Sequence, residues 1–277
     1  MNAPASFDGA AEARSTDGRL VYAVGDIHGR YDLLTRLLAD IVADSRRGPA
    51  AGEAAPILVF IGDYVDRGAS SAGVVEALLQ LHQRDDFEVH TLKGNHEAAM
   101  LDFLADPEAA PEWLQFGGIE TMRSYGVEMA TIESGDLVAI RDAFRARLPA
   151  RHQAFLEGLE LTFTIGDYLF VHAGVRPDIP LDEQDEADLL WIRRDFLSAT
   201  GSFGKVVVHG HTPDPEPQLL FNRLGIDTGA YATGVLTAVR LEEDRVALLQ
   251  TGRAAPAPNP DDAPARPPGI VFPPLQP

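Results

Sequence analysis

Short apolar runs that stop at glycine-flanked polar clusters constrain this 277-residue chain more than any other feature. LVYAV (20–24) runs into Gly25-Asp26-Ile27-His28-Gly29. ILVFI (57–61) runs into Gly62-Asp63-Tyr64-Val65-Asp66-Arg67-Gly68, and EVHTL (88–92) leads to Gly94-Asn95-His96-Glu97. Apolar runs this short, closed by turn residues, read as buried strands. Between them, Leu33, Leu34, Leu37, Leu38, Ile41 and Val42 fall at helical spacing and predict a helix over 31–43. Val74, Val75, Leu78, Leu79 and Leu81 predict another over 70–83, with a loop over 45–56. In open α/β sheets, ligands gather outside the carboxyl ends of the strands, and glycine there permits sharp turns and close backbone approach. Asp26, His28, Asp63, Asp66, Asn95 and His96 are therefore expected to converge, although they are spread over 70 positions (96 − 26).

The second half repeats the pattern. Residues 97–147 read as mostly helical, broken at Pro107, Pro111 and Gly117-Gly118. Strands are then predicted near 160–165, 168–172, 205–209, 234–241 and 245–250. YLFV delivers His172-Ala173-Gly174, and KVVV delivers His209-Gly210-His211-Thr212-Pro213. Five of the eight histidines (28, 96, 172, 209 and 211) thus follow apolar runs. A β-α-β-α-β opening before a β-rich half predicts a layered α/β sandwich.

Composition narrows the function classes. With 23 Lys+Arg against 42 Asp+Glu, the net charge of −19 argues against a nucleic-acid partner held through its phosphates. Zero cysteines exclude disulfides, thiolate metal sites and a cysteine nucleophile. No stretch approaches the ~18 apolar residues of a membrane span. Residues 1–18 lack periodicity and carry no apolar segment behind a basic start, so a flexible leader and a cytoplasmic location are expected. Residues 253–277 are proline-rich and read as an extended tail, which leaves 19–252 as the folded domain.

The ligand types at the strand ends are oxygen and nitrogen without sulfur. That set suits Mn, Fe, Zn, Ni or Co better than Ca or a thiolate-seeking ion. Six candidates are too many for one ion with an open position. They suit two ions sharing a carboxylate, and a metal pair roughly 3.5–4 Å apart is a standard device for phosphate ester hydrolysis.

In order and spacing, GDIHG, GDYVDRG, GNHE, HAG and HGHTP resemble the phosphoprotein phosphatase family of the calcineurin-like metallophosphoesterase superfamily, over about residues 20–240. WLQFGGIETMRSYG (113–126) and LLWIRRDF (189–196) look like its bacterial branch, as does the H-G-H-T-P context of the last histidine, where eukaryotic members carry R-A-H. The resemblance implies an αββα sandwich with the active site at the carboxyl ends of the strands. It implies that Asp26, His28 and Asp63 hold one metal, with Asp63 bridging to a second held by Asn95, His172 and His211. Manganese is the first expectation for both ions. A metal-bridging hydroxide would attack phosphorus directly, and His96, oriented by Asp66, would protonate the leaving alkoxide. Arg67 and an arginine of LLWIRRDF would bind phosphate, Arg193 before Arg194 because it fits W-x-R. The implied activity is a serine/threonine protein phosphatase acting on phosphoproteins, with phosphotyrosine a further substrate. The alternative is a symmetrical diadenosine tetraphosphate hydrolase. A binding module that had lost its chemistry would lack a ligand or the acid, whereas this chain retains every one of them.

Other residues carry blander expectations. Glu97 is expected to tie the active-site turns together. His209 is open between a partner of the ligands and a plain strand end. Asp227 and Gly229 are expected at the rim, Tyr231 along the groove, and the acidic run 182–188 on a solvated face. The overall field of a −19 chain repels an anionic substrate, so the metals and arginines must reverse it locally, and basic flanks on the substrate should help.

Overall fold

Strand alternation decides the layering. In β1 (Leu20–Val24), Val21 and Ala23 face one way and Tyr22 and Val24 the other; in β2 (Ile57–Phe60), Ile57 and Val59 oppose Leu58 and Phe60 in the same fashion. The computed structural model describes residues 14–46 and 54–252. Its further strands are β3 (Glu88–Thr91), β4 (Thr162–Ile165), β5 (Tyr168–Val171), β6 (Val206–His209), β7 (Gln218–Leu219), β8 (Arg223–Gly225), β9 (Thr237–Glu242) and β10 (Arg245–Gln250). They form two five-stranded sheets, ordered β10-β9-β1-β2-β3 and β4-β5-β6-β8-β7. Val21, Ala23, Ile57, Val59, Tyr168, Phe170, Val206 and Val208 make the dry layer between the sheets. Tyr22, Val24, Leu58 and Phe60 pack outward on the helices α1 (Tyr31–Ser45), α2 (Ser71–Leu81) and α3 (Asn95–Ala105). On the other side Leu169, Val171 and Val207 pack on Leu189, Ile192 and Phe196. The chain is a layered αββα sandwich with two mixed sheets.

Register puts the polar clusters at one edge. β1 and β2 are parallel with Val24 opposite Phe60, and β2 and β3 are parallel with Phe60 opposite Thr91. The turns after Val24, Phe60 and Thr91 therefore leave the sheet at the same height. In the second sheet β5, β6 and β8 are parallel, with Phe170 opposite Val208 and His209 opposite Gly225, so His172, His211 and Asp227 emerge together.

The helical stretch between β3 and β4 is longer and more broken than the pattern predicts. It includes a 3-10 helix Pro111–Phe116 and helices Gly118–Ser124, Met129–Ile132, Leu137–Arg147 and Ala150–Glu157. β7 and β8, and helices Glu186–Trp191, Arg194–Leu197 and Ala230–Thr233, were not expected; all are too short to show a period. The tail 253–277 and residues 1–13 of the leader lie outside the described residues, as do residues 47–53 of the loop. Residues 14–18 do not behave as free leader. Thr16 is fully buried and accepts from Glu243 N, while Ser15 N and Thr16 N donate to Asp167 and Glu243. No helix among the described residues is long and apolar enough to cross a membrane.

Candidate active site

The sheet-edge turns bring the expected residues together. Asp26, His28, Asp63, Asp66, Asn95, His96, His172 and His211 are all buried. Holding them there distorts the backbone. Among the described residues, eight non-glycine positions have positive φ, and five of them are His28, Asp63, Asp66, Arg67 and His211. Glycine supplies the closest approaches: a Cβ on Gly94 would lie 2.2 Å from Asp63 Oδ1, and one on Gly210 only 1.9 Å from Asp26 Oδ1. Glu97 ties the turns together as expected. Its buried carboxylate accepts from Asp63 N (2.8 Å), Tyr64 N (2.7 Å), Val65 N (3.1 Å) and Gly94 N (2.9 Å).

Two overlapping sets of donor atoms form, His28-Asp63-His96 and Asp63-His172-His211, each with its atoms within 4.8 Å of one another. Asp63 belongs to both. Asn95 Oδ1 lies 2.9 Å from His172 Nε2 and 2.8 Å from His211 Nδ1. Asp26 is held against the second set by His211 N, which donates to its Oδ2 at 3.0 Å.

The donor set fits cations. His28 Nδ1 donates to Val65 O (2.9 Å) and His172 Nδ1 to Ile61 O (2.8 Å). Burial pulls the His28 ring down to about 3 and lowers His172 as well, so both are neutral near pH 7. Each Nε2 then presents a lone pair to oxygens of Asp63, at 3.5 Å from His28 and 3.4 Å from His172. Acceptor facing acceptor is satisfied by a cation between them. Asp26 Oδ1 makes the same demand: it is buried without a hydrogen-bond partner. Burial, Asp227 and Asp63 all push the Asp26 carboxyl up, and burial pushes Asp227 up to about 6. A cluster of buried carboxylates beside neutral imidazoles is what divalent ions stabilise.

Beside the triads stands a histidine–carboxylate pair. His96 Nδ1 donates to Asp66 Oδ2 at 2.6 Å, and Arg67 Nη2 donates to His96 Nε2 at 3.1 Å. Burial opposes the charged ring, but Asp63 and Asp66 outweigh it and hold His96 above the ordinary histidine range. The Arg67 guanidinium lies 4.5 Å over the Tyr231 ring, which steadies it at the mouth. Arg193 Nε donates to His211 Nε2 at 3.0 Å. The cleft so enclosed has a volume of about 110 Å³ and is lined by Arg67 and Arg193 together with Phe116 and Trp191. Arg194 does not line it.

His209 follows the alternation of β6 onto the outer face, edge-on to Phe196 at 4.9 Å. Asp227 is buried beside Asp26, deeper than a rim. The acidic run is mostly exposed, with Glu186 paired to Lys93 at 3.1 Å. Sequence reasoning gave no role to Trp113, Phe116 or Thr121. They lie in the WLQFGGIETMRSYG segment that carries the resemblance, and all three reach the site.

A family model described as calcineurin-like phosphoesterase matches residues 20–246. An asymmetrical bis(5′-nucleosyl)-tetraphosphatase, PrpE, of Halalkalibacterium halodurans is 26% identical over 237 residues, covering 79% of this chain and 89% of that one. Serine/threonine-protein phosphatase 1 of Salmonella typhimurium is 28% identical over 229 residues, covering 81% and 93%. A cold-active protein tyrosine phosphatase from a Shewanella species shares the fold with a TM-score of 0.52 at 18% identity, over 84% of this chain and 80% of that one.

Proposed function

The chain belongs to the calcineurin-like phosphoesterase family and is a metal-binding phosphoester hydrolase, and from that premise we propose that it dephosphorylates proteins at phosphoserine and phosphothreonine, with phosphotyrosine a further substrate. The observation that carries this reading is the small cleft itself. At about 110 Å³ it lies well below the ~300 Å³ at which pockets begin to enclose a drug-sized ligand. It takes in a phosphoryl group and leaves the bearer of that group outside. A field of −19 net charge also disfavours a polyanionic dinucleotide more than a phosphopeptide with basic flanks.

In this reading Asp26, His28 and Asp63 hold one divalent ion, and Asp63, Asn95, His172 and His211 a second, with manganese the first choice for both. Held there, the ions supply a nucleophilic water at neutral pH and neutralise charge on the phosphoryl oxygens. Arg67 and Arg193 bind those oxygens through the guanidinium fork. With Arg67 turned from His96 Nε2 to the phosphoryl oxygens, that nitrogen is free to carry a proton and give it to the departing serine or threonine oxygen, and Asp66 keeps the ring turned to the cleft.

The rival reading is hydrolysis of a dinucleoside tetraphosphate, favoured by the name of the Halalkalibacterium relative, an asymmetrical rather than a symmetrical tetraphosphatase. Parallel assays of the manganese-loaded protein on a phosphoserine peptide and on diadenosine tetraphosphate decide between them. Turnover of the peptide is expected, and turnover of the dinucleotide alone overturns the proposal. A second expectation separates two neighbouring arginines. Arg193→Ala should lower kcat/KM by about 10–100-fold, as loss of a charged hydrogen bond to phosphate does, while Arg194→Ala changes it less than about twofold. Equal losses would remove Arg193 from the phosphate site.

A further inference from the structure

We propose that Thr121 and Trp113, carried by the helical segment between β3 and β4, are positioning residues for proton transfer: they fix the Asp66 carboxylate that aligns the His96 ring. This rests on the reading of His96 as the acid. Asp66 is fully buried and accepts three hydrogen bonds. His96 Nδ1 (2.6 Å) and Trp113 Nε1 (3.0 Å) donate to Oδ2, and Thr121 Oγ1 (2.7 Å) donates to Oδ1. Both helper residues are themselves fully buried.

The direction of the threonine bond is determined. Asp66 N donates to Thr121 Oγ1 at 2.8 Å, and Ser71 Oγ lies 3.0 Å from the same oxygen. The single hydroxyl proton of Thr121 is therefore free for the carboxylate, which can only accept. With both carboxylate oxygens occupied by donors, the proton between Asp66 and His96 sits on Nδ1, and Nε2 faces the cleft. Asp66 also has φ +73°, a strained conformation for a side-chain-bearing residue, and Thr121 and Ser71 hold its N–H there.

Trp113 is wedged in place by Phe103 (5.1 Å) and Phe144 (5.6 Å), and Gly118 gives it room: a Cβ there would lie 2.6 Å from the indole. A core tryptophan can satisfy its N–H on any nearby carbonyl. This one donates to the oxygen that orients His96. Removing either donor leaves Asp66 under-satisfied in a dry site, free to turn and to loosen the ring. Besides lining the cleft with Phe116, the segment that packs on the sheet thus reaches the His96 ring through the Asp66 carboxylate.

The test is a leaving-group series of small esters on the manganese-loaded enzyme: p-nitrophenyl, phenyl and alkyl phosphate. Thr121→Val removes the hydroxyl at constant shape, and Thr121→Ser keeps it. Thr121→Val should lower kcat on the alkyl ester about tenfold but on p-nitrophenyl phosphate only about twofold, because a good leaving group needs little proton donation. KM and metal content should stay near wild type, and Thr121→Ser should recover most of the rate. An even loss across the series, or no loss, overturns the proposal. Should Thr121→Val fail to fold, Trp113→Phe must show the same selective loss, and an even loss there is equally fatal. The esters are small, so failure of the protein substrate reading leaves this test intact. Failure of the acid reading is recognised separately, by His96→Asn slowing every ester equally.

Discussion

Asp63→Asn is expected to empty both metal positions and to lower kcat by about a thousandfold or more, the equivalent of some 4 kcal/mol of lost charge stabilisation at the phosphoryl group. Asparagine is the informative replacement. Asp63 sits at φ +52°, a conformation asparagine also tolerates, and its Oδ1 accepts from His96 N at 3.1 Å, which an amide oxygen can still do. The change therefore removes charge and little else. Asp63 is the one residue common to both donor sets, so its loss weakens both positions at once. Elemental analysis of protein reconstituted with manganese should give two ions per chain for the wild type and fewer than one for the variant. The wild-type melting temperature should rise with added manganese, because an ion bound only by the folded state stabilises it, and the variant's rise should be much smaller. Two ions retained in Asp63→Asn would contradict the shared position.

The residues tested this way were legible because their signal is local. A glycine, a carboxylate and a histidine after an apolar run mark a turn at a strand end whatever the rest of the chain does, and parallel register then brings such turns together. The sheet sandwich was legible for the same reason, through alternation in strands as short as ILVF. Trp113, Thr121 and Phe116 were not. Thr121 meets Asp66 across 55 positions, and neither residue's neighbours announce the pairing. A buried tryptophan on a helical stretch reads as core, and Trp113 is core; only its N–H reaches Asp66. The choice between Arg193 and Arg194 turned on one backbone position. Arg193 precedes a short helix with φ −133° and ψ −88°, which directs it to His211, and no propensity predicts that angle. β7 and β8 escaped because two or three residues cannot show a period of two.

His96→Asn should lower kcat on an alkyl phosphate ester by about 10²–10⁴-fold, the range expected for loss of a general acid, with a much smaller loss on p-nitrophenyl phosphate. The geometry admits a competing role. His96 Nε2 is 3.9 Å from Asp63 Oδ2, and the ring belongs to one of the two donor sets with His28. Two contacts argue for the acid. Asp66 holds Nδ1 at 2.6 Å, and the Arg67 guanidinium approaches Nε2 at 3.1 Å, so a cation is already placed where a metal ligand would need an ion. Once Arg67 turns to the phosphoryl oxygens, Nε2 is free to carry a proton and release it toward the leaving oxygen. A ligating histidine cannot, since its Nε2 lone pair would be taken by the ion. Metal content separates the two roles without reference to rate. His96→Asn should keep two manganese ions per chain while slowing mainly on esters with poor leaving groups. A variant that binds one ion and slows equally on every ester would make His96 a ligand, and the proton would then have to reach the leaving oxygen by another route.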